Sequence, residues 1–166
     1  RQALDKVSLL PFALATDRWR WGVFDGSIVP ADYQKNWDGL RLQYQGIKPP
    51  VARPADAFDP GAKYHVAIVV PYSNYFVARI LQFQFYKSAC DLSGWKGPLH
   101  RCSFYGSKEV GDRLTQMLAM GRSKPWPEAL KALTGSREMS AAPMLEYFTP
   151  LQKWLSEKNK GKDCGW

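Results

Sequence analysis

Apolar residues recur with helical spacing along most of the chain. In the first segment, residues 3–24, helical spacing is followed by Leu4, Val7, Leu10, Leu14 and Ala15. Pro11 lies inside this pattern and has no backbone N–H to donate, so it predicts a bend. We therefore expect one long, bent helix at the start of the chain.

Helix-terminating residues predict where the later helices begin and end. Asp32 is a favourable N-cap for a helix over 33–45, which Gly46 would end. The same reasoning predicts four further helices: from Pro71 to about Ala89, from a Ser107 cap to Gly121, between Pro125 and Leu133, and from about Ser140 to Lys158.

The remaining segments have no helical period. Residues 25–30, "DGSIVP", indicate a turn, and residues 48–62 form an irregular arm with four prolines. Residues 63–70, "KYHVAIVV", predict a short strand. Alternating strand–helix units are absent from the pattern, which argues against a layered α/β fold. The predicted fold class is mainly α, with long ordered loops and at most a short strand pair.

Length and composition fit one domain or part of one. The 166 residues are 45% hydrophobic and 14% aromatic, with seven Trp. The net charge of +8 could suit nucleic acid, but the basic residues are scattered, which favours an ordinary solvated surface. No apolar run reaches the roughly 18 residues of a membrane span, and no signal peptide is visible. The start without Met indicates a cut inside a longer chain.

Polar side chains that could bind a substrate concentrate in residues 61–76. If residues 63–66 are extended, Lys63 and His65 lie on the same side, and a following helix would place Tyr72 and Tyr75 on adjacent turns. Lysine suits a carboxylate, neutral histidine can donate to a carbonyl, and tyrosine can donate to an oxyanion. The alternative is that both tyrosines are core residues and Lys63 is exposed. Spacing alone favours that alternative.

Two other aromatic–basic patterns allow an anion site or simple packing. Trp37 and Arg41, four positions apart on a helix, could bind an anion together, although such pairs are more often cation–π contacts. The run "DRWRW" at 17–21 could stack on nucleic acid bases, but a buried aromatic face with exposed arginines is favoured. His65 and His100 are the only histidines, and H-E-x-x-H is absent from the sequence. No metal site is predicted in this chain.

Three cysteines leave the redox compartment open. Cys90 and Cys102 flank a loop that contains Gly and Pro, and a disulfide closing it could contribute about 3 kcal/mol. A zinc pair is less favoured, because neither CxxC spacing nor a second pair is present. Cys164 has no clear partner.

Many motifs together resemble one known family. The segments include "DKVSLLPFALATDRWRWGVFDGSI", "LRLQYQGIKPPV", "FDPGAKYH", "GPLHRC", "SKPWPEAL" and "MLEYFTPLQKWL". They resemble the angiotensin-converting enzyme family of zinc peptidyl-dipeptidases over essentially all 166 residues. The resemblance implies the C-terminal segment, residues 1–166, of a single larger helical catalytic domain. The zinc ligands of H-E-x-x-H and a downstream Glu would then lie before Arg1.

The resemblance also implies roles for the polar cluster. Lys63 and Tyr72 match the residues that hold the carboxylate of a peptide substrate. His65 matches the residue that binds the substrate carbonyl. Tyr75 matches the residue that stabilises the oxyanion.

Further positions that match the family imply a chloride site and a disulfide. Trp37 and Arg41 match a chloride site, and Cys90 with Cys102 matches a family disulfide, which implies a secreted or extracellular ectodomain. Two positions depart from the family pattern. Asn74 stands where an arginine binds a second chloride, and Arg79 stands where an aromatic residue is usual.

The expected function is therefore part of a zinc metallopeptidase that releases dipeptides from peptide C-termini. Its partners would be the peptide substrate and the remainder of the catalytic domain. Nucleic acid is not expected, and a membrane would be reached only through other segments. The alternative is a catalytically inactive fragment of the same family that binds peptides or proteins.

Overall fold

The computed structural model describes residues 1–54 and 56–163, and every regular element in those ranges is helical. The chain divides after Arg79 into two compact units. Short 3₁₀ turns cover Pro30–Asp32, Asp59–Ala62 and Leu99–Arg101. The α-helices are α1 (Gln2–Lys6), α2 (Leu9–Phe24), α3 (Tyr33–Gln45), α4 (Tyr64–Ala67), α5 (Ser73–Leu92), α6 (Lys108–Ala119), α7 (Trp126–Thr134) and α8 (Ala142–Lys158). The predicted mainly α fold is confirmed.

Helix ends that depend on neighbouring residues form where the sequence predicts them. α3 begins and ends as predicted, and Gly46 takes the left-handed conformation at φ 66° that a helix C-terminus favours. The side chain of Asp32 makes no capping hydrogen bond there, because a 3₁₀ turn already leads into α3. At α6 the Ser107 hydroxyl accepts a hydrogen bond from the Val110 amide at 3.5 Å.

The first predicted helix is wrong in one respect. The chain breaks between α1 and α2 at Val7 and Ser8, so residues 3–24 do not form one continuous helix. Pro11 lies in the first turn of α2, where backbone amides have no acceptor within the helix, so its missing N–H costs nothing. α5 likewise begins two residues after Pro71 and continues to Leu92.

The predicted strand over 63–70 is also wrong. The amides of Val66 and Ile68 bond to the carbonyls of Lys63 and Tyr64 at 2.8 and 3.0 Å, so this backbone pairs locally, and α4 forms. Strand alternation therefore does not describe how Lys63 and His65 are arranged.

In the first unit, aromatic residues of α2 and α3 pack edge to face. Trp19 is 2% exposed and Trp37 4%, and their rings lie 6.3 Å apart at 82°. The Trp19 indole donates to the Tyr33 carbonyl at 3.0 Å. The expected pattern of buried aromatics and exposed arginines fails at two positions, since Arg20 is buried and Trp21 is 55% exposed.

The second unit has its own apolar centre and one covalent link. Leu130 is fully buried and Val110 is 1% exposed. The Gln84 side chain bonds to the Glu138 carbonyl and the Ser140 amide, each at 3.0 Å. Cys90 and Cys102 are joined by a disulfide, which is the pairing the family resemblance implies. Cys164 lies outside the described residues. Among the described helices, none is both long and apolar enough to cross a bilayer.

We predict that removing the disulfide destabilises the second unit. The bridge closes a loop of 12 residues, so Cys90→Ser with Cys102→Ser should cost about 3 kcal/mol of unfolding free energy through a more disordered unfolded chain. Denaturant unfolding of the double variant measures this loss. Thiol labelling under non-reducing, denaturing conditions gives the independent check. Labelling of both cysteines in the unaltered protein contradicts the bridge.

Candidate functional site

The four polar side chains singled out in residues 61–76 meet in the first unit. The His65 Nε2 atom and the Tyr75 hydroxyl are 2.8 Å apart, within hydrogen-bond distance. The Tyr72 ring lies 5.2 Å from the His65 ring and 5.0 Å from the Tyr75 ring. The Lys63 ammonium lies 5.2 Å from the centre of the Tyr72 ring. We call these four residues the polar cluster.

A tight turn between α4 and α5 brings the two halves of the cluster together. The Val70 amide bonds to the His65 carbonyl at 2.9 Å, which closes the chain on itself after α4. Val69 has φ 59°, a left-handed conformation that is unfavourable for a β-branched residue. The chain therefore reverses just before Tyr72, and His65 comes to face the first turn of α5.

The two tyrosines differ in their exposure to solvent. Tyr72 is 5% exposed, as expected of a core residue, but Tyr75 is 39% exposed. Lys63 is partly buried and forms no ion pair with any described residue. The Nδ1 atom of His65 is buried and has no hydrogen-bond partner among the described residues. The alternative of two core tyrosines and an exposed lysine therefore holds only for Tyr72.

Lys63 and Arg41 share one aromatic neighbour. Their charged groups lie 5.8 and 5.5 Å from the centre of the Phe12 ring, and Arg41 also lies 5.4 Å from the Trp37 ring. The expected cation–π contact between Trp37 and Arg41 is present. Burial lowers the pKa of Arg41, and the charges of Asp38 and Asp59 counteract this effect.

A cavity of about 490 Å³ opens beside these cations. Its wall includes Trp37, the basic residues Arg41, Lys48, Arg53 and Lys63, and the carboxylates of Asp38 and Asp59. The Arg41 Nε atom is buried without a hydrogen-bond partner in the described part of the chain. A buried donor with no partner, beside other cations, fits a bound anion such as the chloride that the resemblance implies.

A glutamine that the sequence analysis missed holds the arm before Lys63. The Gln34 amide nitrogen donates to Asp38 and Asp59 at 3.0 and 3.1 Å, and its oxygen accepts from the Asp59 amide at 2.8 Å. Arg53 forms an ion pair with Asp59 as well. A single glutamine within a helical pattern gives no sequence signal for such a bridge.

The described residues do not fit a zinc ion. No group of three or more His, Cys, Asp or Glu side chains lies close enough to hold a metal within residues 1–54 and 56–163.

The two departures from the family pattern are both on α5. Asn74 is exposed, and Arg79 is partly buried. The Asp5 pKa is lowered chiefly by the hydrogen bond from Lys6, with a smaller contribution from the charge of Arg79.

Comparison with known sequences identifies the family of this chain. The sequence model of the angiotensin-converting enzyme family matches residues 1–166, so the chain belongs to that family. It is 51% identical over 168 residues to an angiotensin-converting enzyme of Mesocricetus auratus, covering 100% of this chain and 13% of that protein. It is 45% identical over 165 residues to an angiotensin-converting enzyme of Theromyzon tessulatum, covering 99% and 27%. The chain thus spans a minor part of the curated relatives it matches.

We predict that Gln34→Glu destabilises the first unit. A carboxylate at this position cannot donate to Asp38 and Asp59, and it adds a third negative charge beside them. The expected loss of unfolding free energy is about 1–3 kcal/mol near neutral pH. The deficit should shrink on acidification, because protonation restores a donor and removes the repelling charge. Denaturant unfolding across a pH series measures both effects.

The matched control is Gln43→Glu, on the exposed side of the same helix. Its unfolding free energy should stay within about 0.5 kcal/mol of the unaltered protein. An equal effect of the two substitutions would contradict the bridging role of Gln34.

Proposed function

We propose that this chain forms the C-terminal part of the catalytic domain of a zinc peptidyl-dipeptidase and binds the C-terminal end of a peptide substrate. One observation carries the proposal: a lysine, a histidine and two tyrosines lie together, with the His65 ring nitrogen 2.8 Å from the Tyr75 hydroxyl. Membership of the angiotensin-converting enzyme family supports the same function.

The terminal carboxylate of the substrate is assigned to Lys63 and Tyr72. Lys63 is a partly buried cation without an ion-pair partner among the described residues, so it can bind an anion without first breaking an internal bond. Its position over the Phe12 and Tyr72 rings reduces its contact with water, which strengthens its attraction for a carboxylate. The Tyr72 hydroxyl would donate a second hydrogen bond to the same group.

The reacting carbonyl is assigned to His65 and Tyr75. The His65 Nε2 atom lies 2.8 Å from the exposed Tyr75 hydroxyl, and as an N–H group it would donate to a substrate carbonyl in place of that hydroxyl. Tyr75 is exposed enough to meet substrate, and its hydroxyl would donate to the oxygen on which negative charge develops. The zinc ion would polarise this carbonyl and activate water, with ligands and general base from other parts of the protein.

Two further features support an anion site and an extracellular location of the protein. A chloride ion bound by Trp37 and Arg41 would lie beside the cavity that also reaches Lys63. The disulfide between Cys90 and Cys102 supports a secreted protein or an extracellular ectodomain. Asn74 carries no charge, so a second chloride site would lack the arginine of the family pattern.

The kinetic test uses the complete enzyme that contains this chain. Tyr75→Phe should lower kcat by about 10²–10³ with little change in KM, because its hydroxyl acts mainly on charge that develops in the transition state. Lys63→Ala should raise KM strongly and change kcat less, because the carboxylate is charged in both the ground and the transition state. It should also remove the preference for a free over an amidated peptide C-terminus. Steady-state kinetics on paired free and amidated peptides measure all three effects.

Two exposed residues serve as matched controls. Tyr105→Phe and Lys35→Ala make the same chemical changes away from the cluster, and both should leave the kinetic constants unchanged. An effect of Tyr75→Phe on KM alone would contradict its assigned role. So would an intact free-carboxylate preference after Lys63→Ala. Peptide binding without any turnover by the complete protein would favour a catalytically inactive binding protein instead.

A further inference from the structure

A buried ion pair on α2 has no part in the proposed chemistry, yet it contacts the backbone that carries the polar cluster. Asp17 is 2% exposed and Arg20 is 5% exposed. One guanidinium nitrogen of Arg20 lies 3.2 Å from a carboxylate oxygen of Asp17. Burying two charges is unfavourable unless their remaining hydrogen-bonding capacity is also used. The further partners of this pair are therefore informative.

Asp17 binds the amides at the start of α5. Its two carboxylate oxygens accept hydrogen bonds from the Tyr72 amide at 2.9 Å and the Ser73 amide at 2.6 Å. The first amides of a helix have no acceptor within the helix itself, and a carboxylate there is also favoured by the helix dipole. The carboxylate comes from a residue 55 positions before Tyr72 in the chain.

Arg20 binds the same turn on the other side of Pro71. Its guanidinium donates to the Val70 carbonyl at 2.5 Å and lies 5.5 Å from the Phe24 ring. Together the two side chains contact residues 70, 72 and 73, directly after the unfavourable left-handed conformation of Val69. The hydrogen bonds offset that strain and hold the reversal between α4 and α5.

We propose that Asp17 and Arg20 are positioning residues, which hold the start of α5 so that Tyr75 faces His65 and Tyr72 faces Lys63. The inference rests on the proposed function for its kinetic consequences, but its geometric content is independent of catalysis. Neither residue is within the polar cluster itself. Their effect on the reaction passes through the backbone of residues 70–73.

A double-mutant cycle in the complete enzyme tests the coupling of Asp17 to Tyr75. Asp17→Asn keeps one acceptor oxygen and the side-chain shape, but it loses the charge and one acceptor. Tyr75→Phe should cost about 10²–10³ in kcat in the otherwise unaltered enzyme and less than about tenfold in the Asp17→Asn background. Where Tyr75→Phe does lower kcat in the otherwise unaltered enzyme, an equal cost in both backgrounds overturns the positioning role, because a loss of folded protein alone leaves the ratio unchanged.

A spectroscopic measurement separates this inference from the proposed function. With ¹⁵N-labelled histidine in the complete enzyme, the His65 Nε2 resonance should shift in Asp17→Asn in the same direction as in Tyr75→Phe. Both variants weaken the same hydrogen bond. That shift without any kinetic effect of Tyr75→Phe supports the positioning role and contradicts the proposed function. No shift in a folded Asp17→Asn enzyme overturns the positioning role.

Two further variants complete the test. Asp25→Asn makes the same change at an exposed carboxylate next to the end of α2, and should alter neither the cycle nor the resonance. If Asp17→Asn does not fold, Arg20→Lys takes its place in the cycle. Lysine keeps a positive charge beside Asp17, but its shorter side chain does not place a donor where the one guanidinium nitrogen of Arg20 contacts both Asp17 and Val70. If the effects of Arg20→Lys and Tyr75→Phe on kcat are then simply additive in free energy, the inference is overturned.

Discussion

The two amides that open α5 have no acceptor within their own helix, and the structure satisfies them with the buried carboxylate of Asp17. Arg20 neutralises this buried carboxylate, and the same guanidinium nitrogen donates to the Val70 carbonyl. The direction in which α5 leaves the turn therefore depends on this one polar contact. This contact therefore determines the positions of Tyr72 and Tyr75.

Beside the polar cluster, two cations lie against aromatic rings. Lys63 and Arg41 both lie within 5.8 Å of the centre of the Phe12 ring. Aromatic faces attract cations but cannot neutralise them. The cavity beside these cations is lined by four basic side chains, including Lys48 and Arg53, and by the carboxylates of Asp38 and Asp59, and this excess of basic groups favours a carboxylate or a small anion.

Sequence reasoning succeeded where the determinants are local. Gly46 and Ser107 lie beside the helix ends they determine, so α3 and the start of α6 could be predicted. It failed at residues 63–70, where β-branched residues favour a strand but the backbone found local partners. Burial of Arg20 was also missed, because its acceptor lies 50 positions away. Gln34 gave no signal for the same reason, since its partner Asp59 is 25 positions distant.

Similarity to a family, rather than spacing, associated Lys63, His65, Tyr72 and Tyr75 with particular chemical roles. The structure brings the four side chains together, although through a helical turn where alternation along a strand was expected. Convergence of polar groups can thus be anticipated from sequence while the geometry that produces it is not. The reason is that the turn at Val69 is unfavourable for its own residues and is held by contacts from α2.

The separation of 50 to 56 residues between α2 and its partners in the turn also bears on how this protein folds. Contacts distant in sequence require closure of a long loop before they can form, whereas isolated helical turns form within microseconds. The helices of the first unit can thus exist transiently before Asp17 meets the start of α5. A nascent chain therefore lacks the contacts of Asp17 and Arg20 until residues 70–73 have emerged and docked on α2.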